Sequence, residues 1–115
     1  MKPNCGRYIL VGKTPVLEPD LTKWGSWMQV FNRHVAKTII GQLYISTVFL
    51  GLDHNFYSEG PPVLWETMIF NKSKPTKVGN KFIFDDIDIQ ERYTTYAKAK
   101  AGHNRIVKLL KAKFS

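Results

Sequence analysis

The chain has 115 residues and a formal net charge of +8 at pH 7. A hydrophobic content of 43% and an aromatic content of 13% exclude a disordered chain and are typical of a folded domain. The single cysteine, Cys5, excludes an intramolecular disulfide, and no apolar run approaches the roughly 20 residues that a membrane-spanning helix needs. We therefore expect one domain over residues 1–115, in a reducing compartment and without membrane contact.

The N-terminal part of the chain predicts one strand and one helix. Residues 7–11 (RYILV) are typical of a strand, and Pro15 and Pro19 mark the connection that follows. Asp20 is the predicted N-cap of a helix over residues 21–32, because apolar side chains recur there at helical spacing. We interpret this apolar stripe as core or subunit interface.

The middle of the chain predicts a series of strands. Residues 35–40 and 43–50 are rich in β-branched side chains, and the Gly-Gln dipeptide between them indicates a hairpin. Residues 63–70 predict a further strand, and residues 82–89 predict another. Residues 71–80 separate these two segments and are expected to form a basic loop.

The C-terminal part predicts a last helix, capped by Thr94 or Thr95 and continuing to about Lys113. Its apolar stripe consists of Tyr96, Ala99, His103, Ile106 and Leu110. Gly102 is costly inside a helix, so we expect another backbone or a ligand to approach closely there. The order β-α-β-β-β-β-α predicts an α+β fold, with two helices and an antiparallel sheet of four to five strands.

The positive charge is concentrated in the C-terminal half. Residues 1–59 carry six Lys/Arg and four Asp/Glu, a net charge of +2, whereas residues 60–115 carry eleven and five, a net charge of +6. From Lys98 onward there are six basic residues and no acid. Such a bias favours anionic partners, although a solvated helix face would have the same composition.

Polar side chains are placed in and beside the loop between two apolar strands. If these strands pair antiparallel, Glu66 lies roughly opposite Thr47. A carboxylate among apolar neighbours needs a partner, which fits either a structural ion pair or hydrogen bonds from a ligand. We expect Thr47, His54, Asn55, Tyr57 and Glu66 to contact the base or ribose of a ligand, although Asx turns would also explain parts of the loop.

The start of the last helix is a second candidate site. Arg92, Thr94 and Thr95 bring a cation and two hydroxyl groups to backbone N–H groups at a helix N-terminus. This combination suits a phosphate, and ordinary capping is the alternative. We expect Lys13, Arg92 and Thr94 to contact phosphates.

The sequence contains none of the common catalytic motifs. It has no GxxxxGK[ST], GxGxxG, GxSxG or HExxH, and its three histidines are far apart. A hydrolase built on Asp53, His54 and Glu66 would need a nucleophile or a metal that the sequence does not indicate. We therefore expect a protein that is not an enzyme and has no catalytic residue, metal or cofactor.

Three segments resemble a family of short phage and prophage proteins. They are STVFLGLDHNF at 46–56, GPPVLWETMIF at 60–70 and ERYTTYAKAKAGH at 91–103. That family has the same order of motifs, and the resemblance covers about residues 8–110. The chain is also similar in size and character to the phage sponge proteins that sequester cyclic nucleotide signals of CBASS defence without cleaving them. Its basic segments are heavier than in those relatives.

The resemblance implies a phage anti-defence protein that binds a cyclic nucleotide, such as 3′3′-cGAMP, in the host cytoplasm. Because pockets for two-fold ligands are often built at subunit interfaces, we expect a homodimer or homotetramer. One alternative is a nucleic-acid-binding module, which is less favoured because the chain lacks a groove-reading motif. The other alternative is a phage inhibitor that binds a host protein directly.

Overall fold

The computed structural model describes residues 6–56, 59–71, 75–78, 81–84 and 90–114. The predicted α+β class, with two helices and an antiparallel four-stranded sheet, is confirmed. In chain order, the elements are β1 (Tyr8–Val11), β2 (Thr14–Leu17), α1 (Leu21–Val30), β3 (His34–Ile40), β4 (Leu43–Phe49), β5 (Trp65–Asn71), β6 (Pro75–Val78), β7 (Lys81–Phe84), β8 (Gln90–Tyr93) and α2 (Tyr96–Phe114).

The central sheet has the strand order β3-β4-β5-β8 and is antiparallel throughout. The first predicted strand does not belong to it, because β1 pairs with β2 in a separate two-stranded hairpin. A tight turn at Gly12, with φ of +63°, joins the two strands. β2 was not predicted from the sequence, because it contains Pro15. Proline is tolerated at this position because β2 is an edge strand.

The fourth strand of the sheet also differs from the prediction. It is β8, a short polar segment that pairs with β5, whereas the segment predicted at 82–89 contributes only β7. β7 pairs with β6, which lies within the predicted loop at 71–80. Residues 85–89 and part of that loop lie outside the described residues. β8 was not predicted, because its QERY sequence has almost none of the apolar pattern that is typical of a strand.

Helix α2 covers one face of the sheet. Four of the five residues of the predicted stripe, Ala99, His103, Ile106 and Leu110, are buried, whereas Tyr96 is half-buried. Two apolar clusters form beneath the helix. The first contains Ile40, Leu43, Ile45, Ile69, Ile106 and Leu110, and the second contains Tyr8, Phe49, Leu64, Trp65 and Ala99. Through these clusters, α2 packs against strands of the central sheet, which hold it in place.

The close approach predicted at Gly102 is present, and the approaching group is the side chain of Tyr93. A Cβ atom placed on Gly102 would lie 2.5 Å from Cζ of the Tyr93 ring. Burial raises the pKa of Tyr93, whose hydroxyl lies 3.0 Å from Thr67 Oγ1 and 3.1 Å from Glu91 Oε2. Glycine at position 102 therefore lets α2 approach β8 closely.

Helix α1 begins as predicted and ends two residues early. Oδ1 of Asp20 accepts hydrogen bonds from the backbone N–H groups of Thr22 and Lys23, at 3.0 and 3.1 Å. Phe31 has extended backbone angles and is the C-cap. Trp24 donates to the carbonyl oxygen of Gly51 at 3.1 Å, which docks the helix at the end of β4. Neither α1 nor α2, the two helices among the described residues, combines the length and apolarity needed to cross a bilayer.

Candidate ligand-binding groove

A groove lies between the tip of the β1–β2 hairpin and the first turns of α2. Its volume is about 760 Å³, within the usual range for small-molecule sites. The hairpin contributes Lys13, Thr14 and Pro15, and α2 with its preceding residues forms the opposite wall. Two elements that are distant in sequence therefore combine to form this groove.

The start of α2 supplies the polar end of the groove. Thr95 is positioned as the helix cap, because its Oγ1 accepts a hydrogen bond from the N–H group of Lys98 at 3.1 Å. An α-helix begins with four N–H groups that lack an intrahelical partner, and this cap satisfies one of them. The residues that follow, Tyr96 and Ala97, line the groove. The positive end of the helix dipole thus adjoins the cavity.

Two lysine side chains add positive charge to this end. Nζ of Lys13 lies 4.8 Å from the centroid of the Tyr96 ring, a cation–π contact that places the ammonium group at the groove. Lys100 lies about one helical turn after Tyr96 and also lines the groove. The described residues that line it include no acidic side chain. An anion would therefore meet two cations and a helix N-terminus without a nearby carboxylate.

The remainder of the groove is mostly apolar. Pro15, Ala97 and Ala101 provide small apolar surfaces, and Asn104 lies at the end away from the helix start. The described lining residues contain no His, Cys, Asp or Glu. This arrangement is suited to binding an anionic molecule with a flat ring.

Of the three residues predicted to contact phosphates, the structure brings two together. Lys13 and Thr94 both line the groove, whereas Arg92 does not. Alternation along β8 directs Tyr93 toward α2 and Arg92 toward the opposite face. There, Nε of Arg92 donates to Oε2 of Glu66 at 2.8 Å.

Glu66 lies one residue from the position opposite Thr47, within the rough pairing that was predicted. Thr47 pairs with Thr67, and Glu66 pairs with Val48. Because side chains alternate along a strand, this shift puts Glu66 and Thr47 on opposite faces of the sheet. Glu66 is 7% exposed, and its Oε2 also accepts a hydrogen bond from Gln90 Nε2 at 2.7 Å. The ion pair with Arg92 described above fits the structural alternative for this carboxylate.

Thr47 lies beneath α2 in a buried polar network. Its Oγ1 shares hydrogen bonds with Thr67 Oγ1 at 2.5 Å and with His103 Nδ1 at 2.7 Å. The other ring nitrogen of His103, Nε2, shares a hydrogen bond with Thr38 Oγ1 at 2.8 Å. Burial lowers the pKa of His103, and the positive charge of Lys100 lowers it further. This network therefore joins His103 on α2 to three strands of the sheet, β3, β4 and β5.

The predicted loop residues lie apart from the groove. His54 Nδ1 is 2.8 Å from the carbonyl oxygen of the residue two positions before it. Asn55 Nδ2 donates to the carbonyl oxygens of Glu59 and Pro61, at 3.0 and 3.1 Å. These bonds close the loop on itself, which fits the turn-forming alternative. Tyr57 lies outside the described residues.

Sequence reasoning missed several residues that line the groove. Tyr96, Lys100 and Asn104 recur every four residues and thus form one row along α2, beside its buried stripe. This row could have been recognised from the sequence, because it follows directly after a predicted helix cap. The role of Thr14 and Pro15 depends on the β1–β2 hairpin, which was not predicted from the sequence.

Comparisons of this chain with protein-family models, with curated proteins and with solved structures found no match. The resemblance to phage proteins therefore remains a prediction. The groove is the feature from which a function can be inferred. Within the described residues, no group of three or more His, Cys, Asp or Glu side chains is arranged to bind a metal ion.

Proposed function

We propose that this protein binds an anionic cyclic nucleotide, such as 3′3′-cGAMP, in the groove and sequesters it without cleaving it. In this proposal it is a phage anti-defence protein that removes a CBASS signal from the host cytoplasm. The observation that carries the proposal is a groove that combines Lys13, Lys100 and the N-terminus of α2 with an apolar floor.

The polar end of the groove supports recognition of a phosphate. Backbone N–H groups at a helix start attract anions, and the dipole contributes roughly 0.3–1 kcal/mol at an exposed site. Lys13 and Lys100, which belong to two different elements, both line the same groove as the helix start. The contact with Tyr96 orders the Lys13 side chain before a ligand arrives, which lowers the entropy lost on binding.

The rest of the groove supports recognition of the nucleoside. A volume of about 760 Å³ is within the range that accommodates drug-sized ligands. The small apolar side chains of Pro15, Ala97 and Ala101 leave room for a flat base against the helix.

We also propose that the protein is a homodimer or a homotetramer. α2 covers one face of the central sheet, and the opposite face carries exposed apolar side chains such as Ile39, which is 64% exposed, and Met68, which is 37% exposed. Contiguous exposed apolar surface often marks an interface. Light scattering coupled to size-exclusion chromatography would measure the mass of the protein in solution. A monomer mass at micromolar concentration would contradict this proposal.

Binding to a panel of cyclic nucleotides tests the functional proposal. Purified protein is dialysed against 3′3′-cGAMP and other cyclic nucleotides, and the bound fraction is recovered after denaturation. We expect intact ligand in that fraction, and a loss of binding in a Lys13→Ala/Lys100→Ala variant. A Lys37→Ala/Lys108→Ala variant is the matched control, because it removes the same charge from exposed positions that do not line the groove.

Three results of this experiment would overturn the proposal. If no member of the panel binds, the groove has another ligand or none. If the control variant loses as much affinity as the groove variant, binding depends on net charge and not on the groove. Recovery of a cleaved product would assign an enzymatic activity instead of sequestration.

A basic nucleic-acid interface is the second candidate. All six Lys and Arg residues of α2 are exposed, and the helix contains no acid. Binding through them should weaken steeply with salt, because each phosphate contact releases counterions. Retardation of DNA or RNA at low salt that survives the Lys13→Ala/Lys100→Ala change would favour this candidate. The third candidate, inhibition of a host protein, would be supported by capture of one partner from host lysate.

A further inference from the structure

We propose that Glu91 on β8 fixes the tautomer of His103 on α2, through a one-way series of hydrogen bonds that joins the helix to the central sheet. The members of this series, named the polar network below, are in order Thr38, His103, Thr47, Thr67, Tyr93 and Glu91. They are all buried or half-buried, and they come from α2 and from each of the four strands of the sheet. The inference concerns the wall of the groove and does not depend on which ligand binds there.

The direction of the polar network is set at Glu91. Its carboxylate is paired with Arg105, and an ionised carboxylate only accepts hydrogen bonds. The hydroxyl of Tyr93 lies 3.1 Å from Oε2 of Glu91 and 3.0 Å from Oγ1 of Thr67, but it has a single hydrogen. Because the contact with Glu91 contains no other hydrogen, Tyr93 donates to Glu91. Thr67 must then donate to Tyr93.

The same rule determines the next two hydrogen bonds. Thr67 uses its hydrogen for Tyr93, so it accepts in its 2.5 Å contact with Thr47. Thr47 therefore donates to Thr67 and has no hydrogen left for His103, whose Nδ1 lies 2.7 Å from the Thr47 oxygen. Nδ1 of His103 must carry a hydrogen and donate it to Thr47. This result holds for a charged ring as well as for an uncharged one.

The second ring nitrogen completes the assignment. Burial lowers the pKa of His103 below its usual value of 6.5, so the ring is uncharged near pH 7.5. An uncharged imidazole has one N–H group, which leaves Nε2 as an acceptor for the hydroxyl of Thr38 at 2.8 Å. The opposite tautomer would reverse every hydroxyl group of the polar network. It would leave the oxygens of Tyr93 and Glu91 in contact without a hydrogen between them.

The polar network makes the packing of α2 depend on the position of β8. β8 is an edge strand of the central sheet, and it is followed by Thr94 and Thr95, which line the groove. If position 91 no longer only accepts hydrogen bonds, the hydroxyl groups can turn and His103 can occupy both tautomers. Glu91 is thus a positioning residue, because it acts on His103 through three intervening side chains.

Nitrogen-15 NMR of the histidine rings in the full chain, near pH 7.5, tests the direction of the polar network. A His103→Gln variant identifies the His103 signals among those of the three histidines. For the natural sequence we expect Nδ1 to have the chemical shift of an N–H nitrogen and Nε2 that of an unprotonated nitrogen. The reverse assignment, or an equal mixture of the two tautomers, would overturn the inference without the need for a variant.

A Glu91→Gln variant tests the control of the tautomer by Glu91. The carboxamide has nearly the same shape, but it can donate as well as accept. We expect the Nδ1 and Nε2 shifts of His103 to move toward each other, because both tautomers become populated. Arg105→Gln is the matched control, since it removes the ion pair and leaves the carboxylate, and it should leave both shifts in place.

Two results from these variants would refute the role of Glu91. One is a Glu91→Gln protein that folds, as judged by circular dichroism, and keeps the His103 shifts of the natural sequence. The other is an equal change of these shifts in the Arg105→Gln control, which would assign the effect to the ion pair. If Glu91→Gln does not fold, the measurement on the natural sequence still decides the direction of the polar network.

Discussion

Gly102→Ala should destabilise the protein, although alanine is the better helix former. The change gains about 1 kcal/mol of helix propensity. Against this, the new Cβ would lie 2.5 Å from Cζ of Tyr93, far inside van der Waals contact. The ring has little freedom to move, because it is half-buried against the core and its hydroxyl lies within hydrogen-bond distance of Thr67 and Glu91.

The change in unfolding free energy caused by Gly102→Ala is the sum of three contributions. Overpacking costs typically 1–3 kcal/mol, and displacement of the Tyr93 hydroxyl removes a hydrogen bond of about 1 kcal/mol. After the gain in helix propensity, we expect a loss of about 1–3 kcal/mol. For a domain near this size, each kcal/mol lowers Tm by roughly 4–8 °C.

Thermal and urea unfolding followed by circular dichroism would measure this effect. Gly25→Ala is the matched control, since Gly25 is also inside a helix but a Cβ there meets nothing within 4 Å. We expect the control to be stabilised by about 1 kcal/mol. Stabilisation of Gly102→Ala by the same amount would refute the close packing of α2 against Tyr93.

Three further predictions concern the polar groups. In a double-mutant cycle, Lys13→Ala and Tyr96→Leu should show coupled losses of cyclic-nucleotide affinity. The Tyr96→Phe variant should retain most of the affinity, because it keeps the aromatic ring. Additive losses in the cycle would contradict the positioning of Lys13 by the ring. Because burial lowers the pKa of His103 in the folded state, the unfolded chain takes up a proton first as the pH falls through about 6.5. Stability should therefore decrease between pH 7.5 and 5.5, less steeply in His103→Gln, and equal urea midpoint shifts in both proteins would count against this. Glu66→Ala should lower the unfolding free energy by about 1–2 kcal/mol, less than for a fully buried pair because the Arg92 side chain is 42% exposed; loss of ligand binding at unchanged stability would instead assign Glu66 to the ligand site.

The elements with strong apolar periodicity could be predicted from the sequence. The buried stripe of α2, the cap at Asp20 and the hairpin of β3 and β4 each follow from local patterns. β2 and β8 could not be predicted in this way. β2 contains a proline, and β8 is polar and gains its place only by pairing with the buried strand β5.

The candidate site was predictable only in part, for a geometric reason. Lys13 and Thr94 were both expected to contact phosphate, and they do line one groove. Their proximity depends on how the β1–β2 hairpin lies against α2, which no local pattern determines. The pairing of Glu66 depended on register, where an error of one residue moves a side chain to the other face.

A crystal structure of the protein purified from bacteria that produce 3′3′-cGAMP would show directly whether the groove binds this nucleotide. We expect intact cyclic nucleotide in the groove, with a phosphate beside Lys13, Lys100 and the first turn of α2 and a base over Ala97 and Ala101. Cyclic nucleotide bound elsewhere on the protein, for instance against the loop that contains His54, would contradict it. So would an empty groove in crystals soaked with saturating 3′3′-cGAMP.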